Sequence, residues 1–212
     1  VIIAVGLFFV WLKIGRKLRA IYVILKPQTS WMSREVYAAG VLYILGLIDY
    51  YNPSMALHTL VAVAAFIFLY CQARILHSAK GIPTWRAPQI PRMLVATGLY
   101  EGAGLVAIML TFEPEIMGSI HPLAVVALVL AAINALIWRS YLMEAKKIGI
   151  GPLARAILLG VTTKVHFIAH FLPAVIFMTF LTLPNGPAWL MAVAGLLVII
   201  CGAYWKIVLI TK

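Results

Sequence analysis

Among the ionisable side chains that fall inside, or at the edge of, long apolar runs, five could carry chemistry: Glu35, His77, Glu101, His166 and His170. Placing such a group in hydrocarbon costs about 2.5 to 3.5 kcal/mol on insertion scales, so each one marks a candidate site. Glu35 closes the stretch Pro27-Gln28-Thr29-Ser30-Trp31-Met32-Ser33-Arg34-Glu35, a polar, turn-rich loop that leads without a break into an apolar helix. The plain structural reading has Ser30 or Ser33 capping that helix and Trp31 anchoring it at the membrane surface. The functional reading makes the loop the rim of a pocket, with Glu35 exchanging protons there.

Glu101 lies nine positions beyond Arg92, roughly 14 Å along a helix, which sets it near mid-membrane. Gly98 and Gly102 give a Gly-x-x-x-Gly spacing that lets a second helix come close. Glu101 is therefore either a protonated link between helices or a proton relay. His166 and His170, four apart, share one helix face, and depth arithmetic brings His77 and Glu35 to the same level from other helices. A membrane histidine commonly serves as a hydrogen-bonded packing residue. The chemical alternatives are proton exchange with a ligand, or haem b ligation by His77 with His170 from two different helices. His166 and His170 cannot clamp an iron between them, since both leave one face. Cys71 and Cys201 are spaced for neither a zinc site nor an iron–sulfur cluster and read as small buried hydrophobes, so no metal is expected in this chain. No nucleophile elbow, phosphate-binding loop or paired-carboxylate pattern is present in the sequence.

The elements that must position these groups are membrane helices. Hydrophobic residues are 64% of the 212 and charged residues 11%, which excludes a soluble globular domain and predicts an all-α integral membrane protein, a polytopic helical bundle forming one domain over residues 1–212. Six complete spans are predicted: about Ser33 to Tyr50, Met55 to His77, Pro91 to Phe112, Pro122 to Tyr141, Val161 to Leu183 with a kink at Pro173, and Pro187 to Ile210. The apolar run from Val1 to Leu12 is too short to cross a bilayer and reads as the end of a helix whose start is missing. A basic, half-apolar segment up to Leu25 follows it and suits the headgroup plane.

Charge sets the topology. Lys and Arg number six before the first complete span, four in the connection around Lys80 and Arg86, five in that from Arg139 to Lys164, and two at the end, Lys206 and Lys212. The alternate connections hold none and carry Asp49, Glu113, Glu115 and His121 instead. The positive-inside rule then puts the basic connections in the cytoplasm, in a multi-pass protein of a bacterial or archaeal cytoplasmic membrane. The net charge of +11 describes that one face beside the lipid bilayer rather than a nucleic-acid site.

Four stretches carry a resemblance: Lys13-Ile14-Gly15-Arg16-Lys17-Leu18-Arg19-Ala20, the Pro27 to Glu35 loop, Tyr70-Cys71-Gln72-Ala73-Arg74-Ile75-Leu76, and Gly81-Ile82-Pro83-Thr84-Trp85. In this order they resemble the DmsC/NrfD superfamily, the quinone-interacting membrane anchors of molybdenum or tungsten oxidoreductases of the dimethyl sulfoxide reductase type used in anaerobic respiration. The feel is closest to anchors of the phenylacetyl-CoA:acceptor oxidoreductase kind. The resemblance implies a metal-free subunit that binds menaquinone or ubiquinone and passes electrons to or from a docked four-iron-four-sulfur, ferredoxin-like subunit of a Mo/W-bis-pterin catalytic partner. It implies a catalytic role for Glu35, which matches a family glutamate, and a quinone site drawn from Lys13, Arg16, Trp31, Arg34, Glu35, His77, Trp85, His166 and His170. Lys13 stands where dimethyl sulfoxide reductase anchors have a histidine, which leaves His166, His77 or Lys13 itself to assist the quinone. The family's motif loop faces the periplasm; the seventeen basic residues of this chain place it in the cytoplasm, and the charges are followed here. The alternatives are a haem-b cytochrome anchor, or a proton or small-solute transporter built on Glu101 and the Pro173 kink.

Overall fold

The computed structural model describes residues 5, 6, 8, 22, 25–79, 81–112, 120–144, 147, 149–183 and 186–211. Lys13 and Arg16 lie outside the described residues, as do Glu113 and Glu115. The chain forms two compact units, Val1–Ser78 and Ala79–Lys212.

Unit 1 is a helical hairpin of α1 (Trp31–Tyr51) and α2 (Met55–Ser78). Ser30 caps α1, its hydroxyl accepting from the Ser33 N–H at 3.4 Å. Pro53 cannot continue a helix, and α2 restarts behind Ser54, whose hydroxyl accepts from the Leu57 N–H at 3.2 Å. Asp49 and the His58 Nδ1 pair at 2.7 Å across this turn. Small residues let the helices close: Ala38, Ala39 and Leu42 meet Ala64, Phe68 and Cys71.

Unit 2 opens with a 3₁₀ turn, Pro83–Trp85, and continues through α3 (Ile90–Phe112), α4 (Ile120–Glu144), α5 (Pro152–Thr182) and α6 (Trp189–Thr211). Alanines at three- and four-residue spacing, Ala103 and Ala107 on α3 and Ala124, Ala127 and Ala131 on α4, face Phe177 and Phe180 of α5 and Met191, Ala194 and Val198 of α6. In lipid, where apolar burial between helices earns little, such small-residue contacts and interhelical hydrogen bonds hold a bundle together. Asn134 on α4 supplies the clearest of these bonds. Its amide donates to the Ala96 carbonyl at 3.1 Å and its Oδ1 accepts from the Thr97 hydroxyl at 2.8 Å, both on α3. Asn134→Leu is expected to cost about 0.6 to 2 kcal/mol. Thermal unfolding of the detergent-solubilised protein would show the loss, and adding Thr97→Val should then cost little more.

The all-helical membrane class holds, and two details of the predicted architecture are corrected. Among the described residues five helices, not six, are long and apolar enough to cross a membrane: α2 to α6. The sixth candidate, α1, has 21 residues but carries Arg34 and Glu35 near one end and Asp49 near the other, besides four tyrosines, so its hydropathy falls short. The second correction concerns α5, which starts at Pro152, well inside what the charges suggested was a connection. Proline at the first helical position gives up an N–H that has no partner there anyway, so Pro152 starts the helix where the basic residues around it suggested a loop. Ahead of Pro173 the chain widens into a π-helical stretch, Val165–Phe171, and the Leu172 N–H bonds five residues back to the Phe167 carbonyl. Pro173 brings no N–H to the ladder, and a π-turn just before it accommodates that loss.

Candidate functional site

The polar end of unit 1 is tied down by Arg34. Its Nε donates to the Pro27 carbonyl and its Nη2 to the Gln28 carbonyl, each at 2.8 Å, so a helical side chain holds the preceding loop. The same guanidinium lies 4.3 Å from the centre of the Trp31 ring, Arg74 of α2 lies 4.9 Å from it, and Tyr70 meets it edge-on at 5.9 Å. Each cation–π contact contributes about 0.5 to 2 kcal/mol, depending on how dry it is. Trp31 is therefore an aromatic plate held beside two cations. The Glu35 carboxylate takes a hydrogen bond from the Gln72 side chain across the hairpin.

Trp31 and Arg34 form one end of a groove with a cavity volume of 620 Å³ along the hairpin. Pro27 completes that end, and the rest is lined by Tyr37, Ala38, Val41 and Leu45 of α1 and by Leu60, Val63, Ala64, Ile67, Tyr70 and Cys71 of α2. From Trp31 to Leu45 the groove follows fourteen positions of α1, about 21 Å at 1.5 Å per residue. Its wall is apolar apart from the Trp31–Arg34 end. Cys71 connects the two features, for it lines the groove and lies within reach of the charges of Glu35 and Arg34.

A second polar constellation lies in unit 2. Glu101 of α3 pairs through Oε2 with the Lys206 ammonium of α6 at 2.5 Å. The carboxylate fits because residue 202 is glycine, where any Cβ would collide with the Glu101 Oε1. Lys206 thus belongs to a part-buried ion pair between α3 and α6, although the sequence reading counted it with the basic terminus. One position before Glu101, Tyr100 stacks on His170 with ring centres 6.4 Å apart, and His166 lies 5.5 Å from His170. Close approach of α3 and α6 comes from Gly104 and Gly195, each of which would drive a Cβ into the other's backbone, whereas a Cβ on Gly102 would meet open space. Trp85, expected in a quinone pocket, donates its indole N–H to the Leu209 carbonyl at 3.1 Å, one of the last carbonyls of α6. The adjacent Thr84 carbonyl accepts from the buried Tyr141 hydroxyl at 3.2 Å.

The structure therefore groups Trp31, Arg34 and Glu35 in unit 1, with His77 one residue from the end of α2, and places Trp85, Glu101, His166 and His170 in unit 2. Sequence reasoning missed Gln72, Arg74, Gly202 and Lys206 as partners. Gln72 and Arg74 carried a signal, since both belong to the Tyr70 to Leu76 stretch. Comparison with curated proteins and with solved structures finds no match for this chain. A protein-family model described as DMSO reductase anchor subunit (DmsC) matches residues 1–211, with the multi-pass helical architecture that such an anchor requires. The chain belongs to the DmsC family, the membrane anchor subunits of DMSO reductase-type enzymes.

Proposed function

We propose that this anchor exchanges electrons between a docked iron–sulfur subunit of a Mo/W oxidoreductase and membrane quinone, and that the quinone occupies the unit 1 groove. One observation carries the reading. The groove runs for about 21 Å along α1, apolar over most of that length and ending at an aromatic plate beside a guanidinium, Trp31 and Arg34. An isoprenoid tail needs the first part and a carbonyl-bearing ring the second. Trp31 would stack on the ring and Arg34 would donate to a carbonyl oxygen. Bound quinone supplies a couple of two electrons and two protons. Of the two carboxylates in the described part of unit 1, Glu35 lies near the Trp31 end and Asp49 fourteen positions away, so proton exchange falls to Glu35. The basic connections face the cytoplasm on the positive-inside rule, and the catalytic subunits dock there.

Val63 lines the groove and is exposed, so Val63→Trp fills the tail's path without cutting into the hairpin core. In the assembled complex this variant should raise the KM for a long-tailed quinol about tenfold, equivalent to 1.4 kcal/mol. A tail-less analogue and an artificial dye should react as before. An unchanged KM for the tailed quinol would remove the groove from the reading.

A further inference from the structure

Unit 2 holds polar groups that an anchoring role and a quinone groove in unit 1 leave unused. The Glu101 Oε2 is paired with Lys206, but Oε1 is buried against Gly202 with no hydrogen-bond partner, and the neighbouring Tyr100 hydroxyl is likewise buried and unpartnered. Each such atom is costly to bury unless water reaches it. The way in is marked by side chains. Tyr100 stacks on His170, and His166 follows one turn nearer the Pro152 end of α5. That end also holds the contacts of Thr84 with Tyr141 and of Trp85 with Leu209. Arg139 of α4 is the cation within reach of His166, and Cys201 of α6 adjoins Tyr100. The opposite direction is shut: one turn past Glu101, the backbones of Gly104 and Gly195 touch, and the apolar cluster of Leu110, Ile120, Phe180 and Met191 lies beyond them.

We propose that Glu101 is a proton-exchange site, a well filled by water from the His166 end and closed at the Gly104–Gly195 contact. A hydronium arriving past His166 and His170 gives its proton to the Glu101 carboxylate and becomes water. Lys206 holds the carboxylate through Oε2 and leaves Oε1 facing the well. The proposal is independent of the groove in unit 1.

The test uses the whole complex in lipid vesicles and infrared spectroscopy, with the carbonyl stretch of protonated Glu101 identified by its loss in Glu101→Gln. Lys206→Met should make that band appear at neutral pH, and it should shift promptly on transfer to D₂O. His170→Phe keeps the stack on Tyr100 and removes the ring nitrogens that hold water on the path; in the Lys206→Met background it should slow the shift about tenfold or more. A band that does not exchange, or exchanges equally fast without His170, would make the pair an inert structural link. Should Lys206→Met fail to assemble, a hydrophobic carbodiimide on the unaltered complex gives the answer. Modification of Glu101 that grows as pH falls supports the well, and none at any pH overturns it.

Discussion

Glu35→Gln is expected to lower quinol-coupled turnover of the assembled complex by about a hundredfold or more, the usual scale for loss of a general base. Dye-coupled activity of the catalytic subunits should stay as it was. The substitution isolates one property. Glutamine has the shape of glutamate and can still bond to Gln72 across the hairpin, so the Trp31 plate, its two cations and the Arg34 clamp on Pro27 and Gln28 keep their places. What disappears is the ability to hold a proton. Quinol binding should persist, so the loss belongs in kcat and not in KM. An unchanged kcat would assign Glu35 to holding the hairpin together through Gln72, and the proton would need another acceptor.

Gly195→Leu should have the largest effect on the fold. The Cβ of any residue at 195 is driven into the backbone of Gly104, and a main chain inside a helix cannot swing aside as a long side chain does. Forcing atoms into a closed contact costs about 1 to 3 kcal/mol, and a backbone obstacle belongs at the top of that range or above it. Gly102→Leu is the matched control: it sits two residues before Gly104 on α3 and faces open space. Unfolding of the detergent-solubilised protein should show a clear fall in stability for the first and little change for the second. Equal stability of the two variants would mean that α3 and α6 do not meet at these glycines.

These glycines also show where sequence reading reached its limit. The spacing of Gly98 and Gly102 pointed to α3 as a helix with a close neighbour, but Gly102 meets open space and Gly104 touches α6, because which face meets α6 depends on a partner some ninety residues away. Local signals did well. The Ser30 cap, the stop at Pro53 and the boundaries of α2 and α3 follow from a side chain or a missing N–H within a few residues. Long-range pairing did not show. Glu101 stood out as an intramembrane acid, while Lys206, 105 positions later, was indistinguishable from a terminal cation until α6 was seen to carry it alongside Gly202. Trp31 fell between these cases. Its neighbour Arg34 is local, but Arg74 approaches the other helix's ring only because the hairpin closes. Likewise Pro173 announced a disturbed helix, and only the backbone shows the disturbance spread over the seven residues before Leu172, where both histidines sit.

The Arg34 clamp separates two surfaces that a loop of this kind would ordinarily tie together. It grips main-chain oxygens of Pro27 and Gln28, which every amino acid supplies, so the course of the chain there owes nothing to the side chains of Gln28 and Thr29. Those two positions are free to change what the loop presents to a neighbouring subunit while Pro27, Trp31 and Arg34 go on shaping the groove. With quinone in the groove as proposed, recognition of a partner and selection of the ligand could drift apart in evolution, or be redesigned one at a time, within a segment of nine residues.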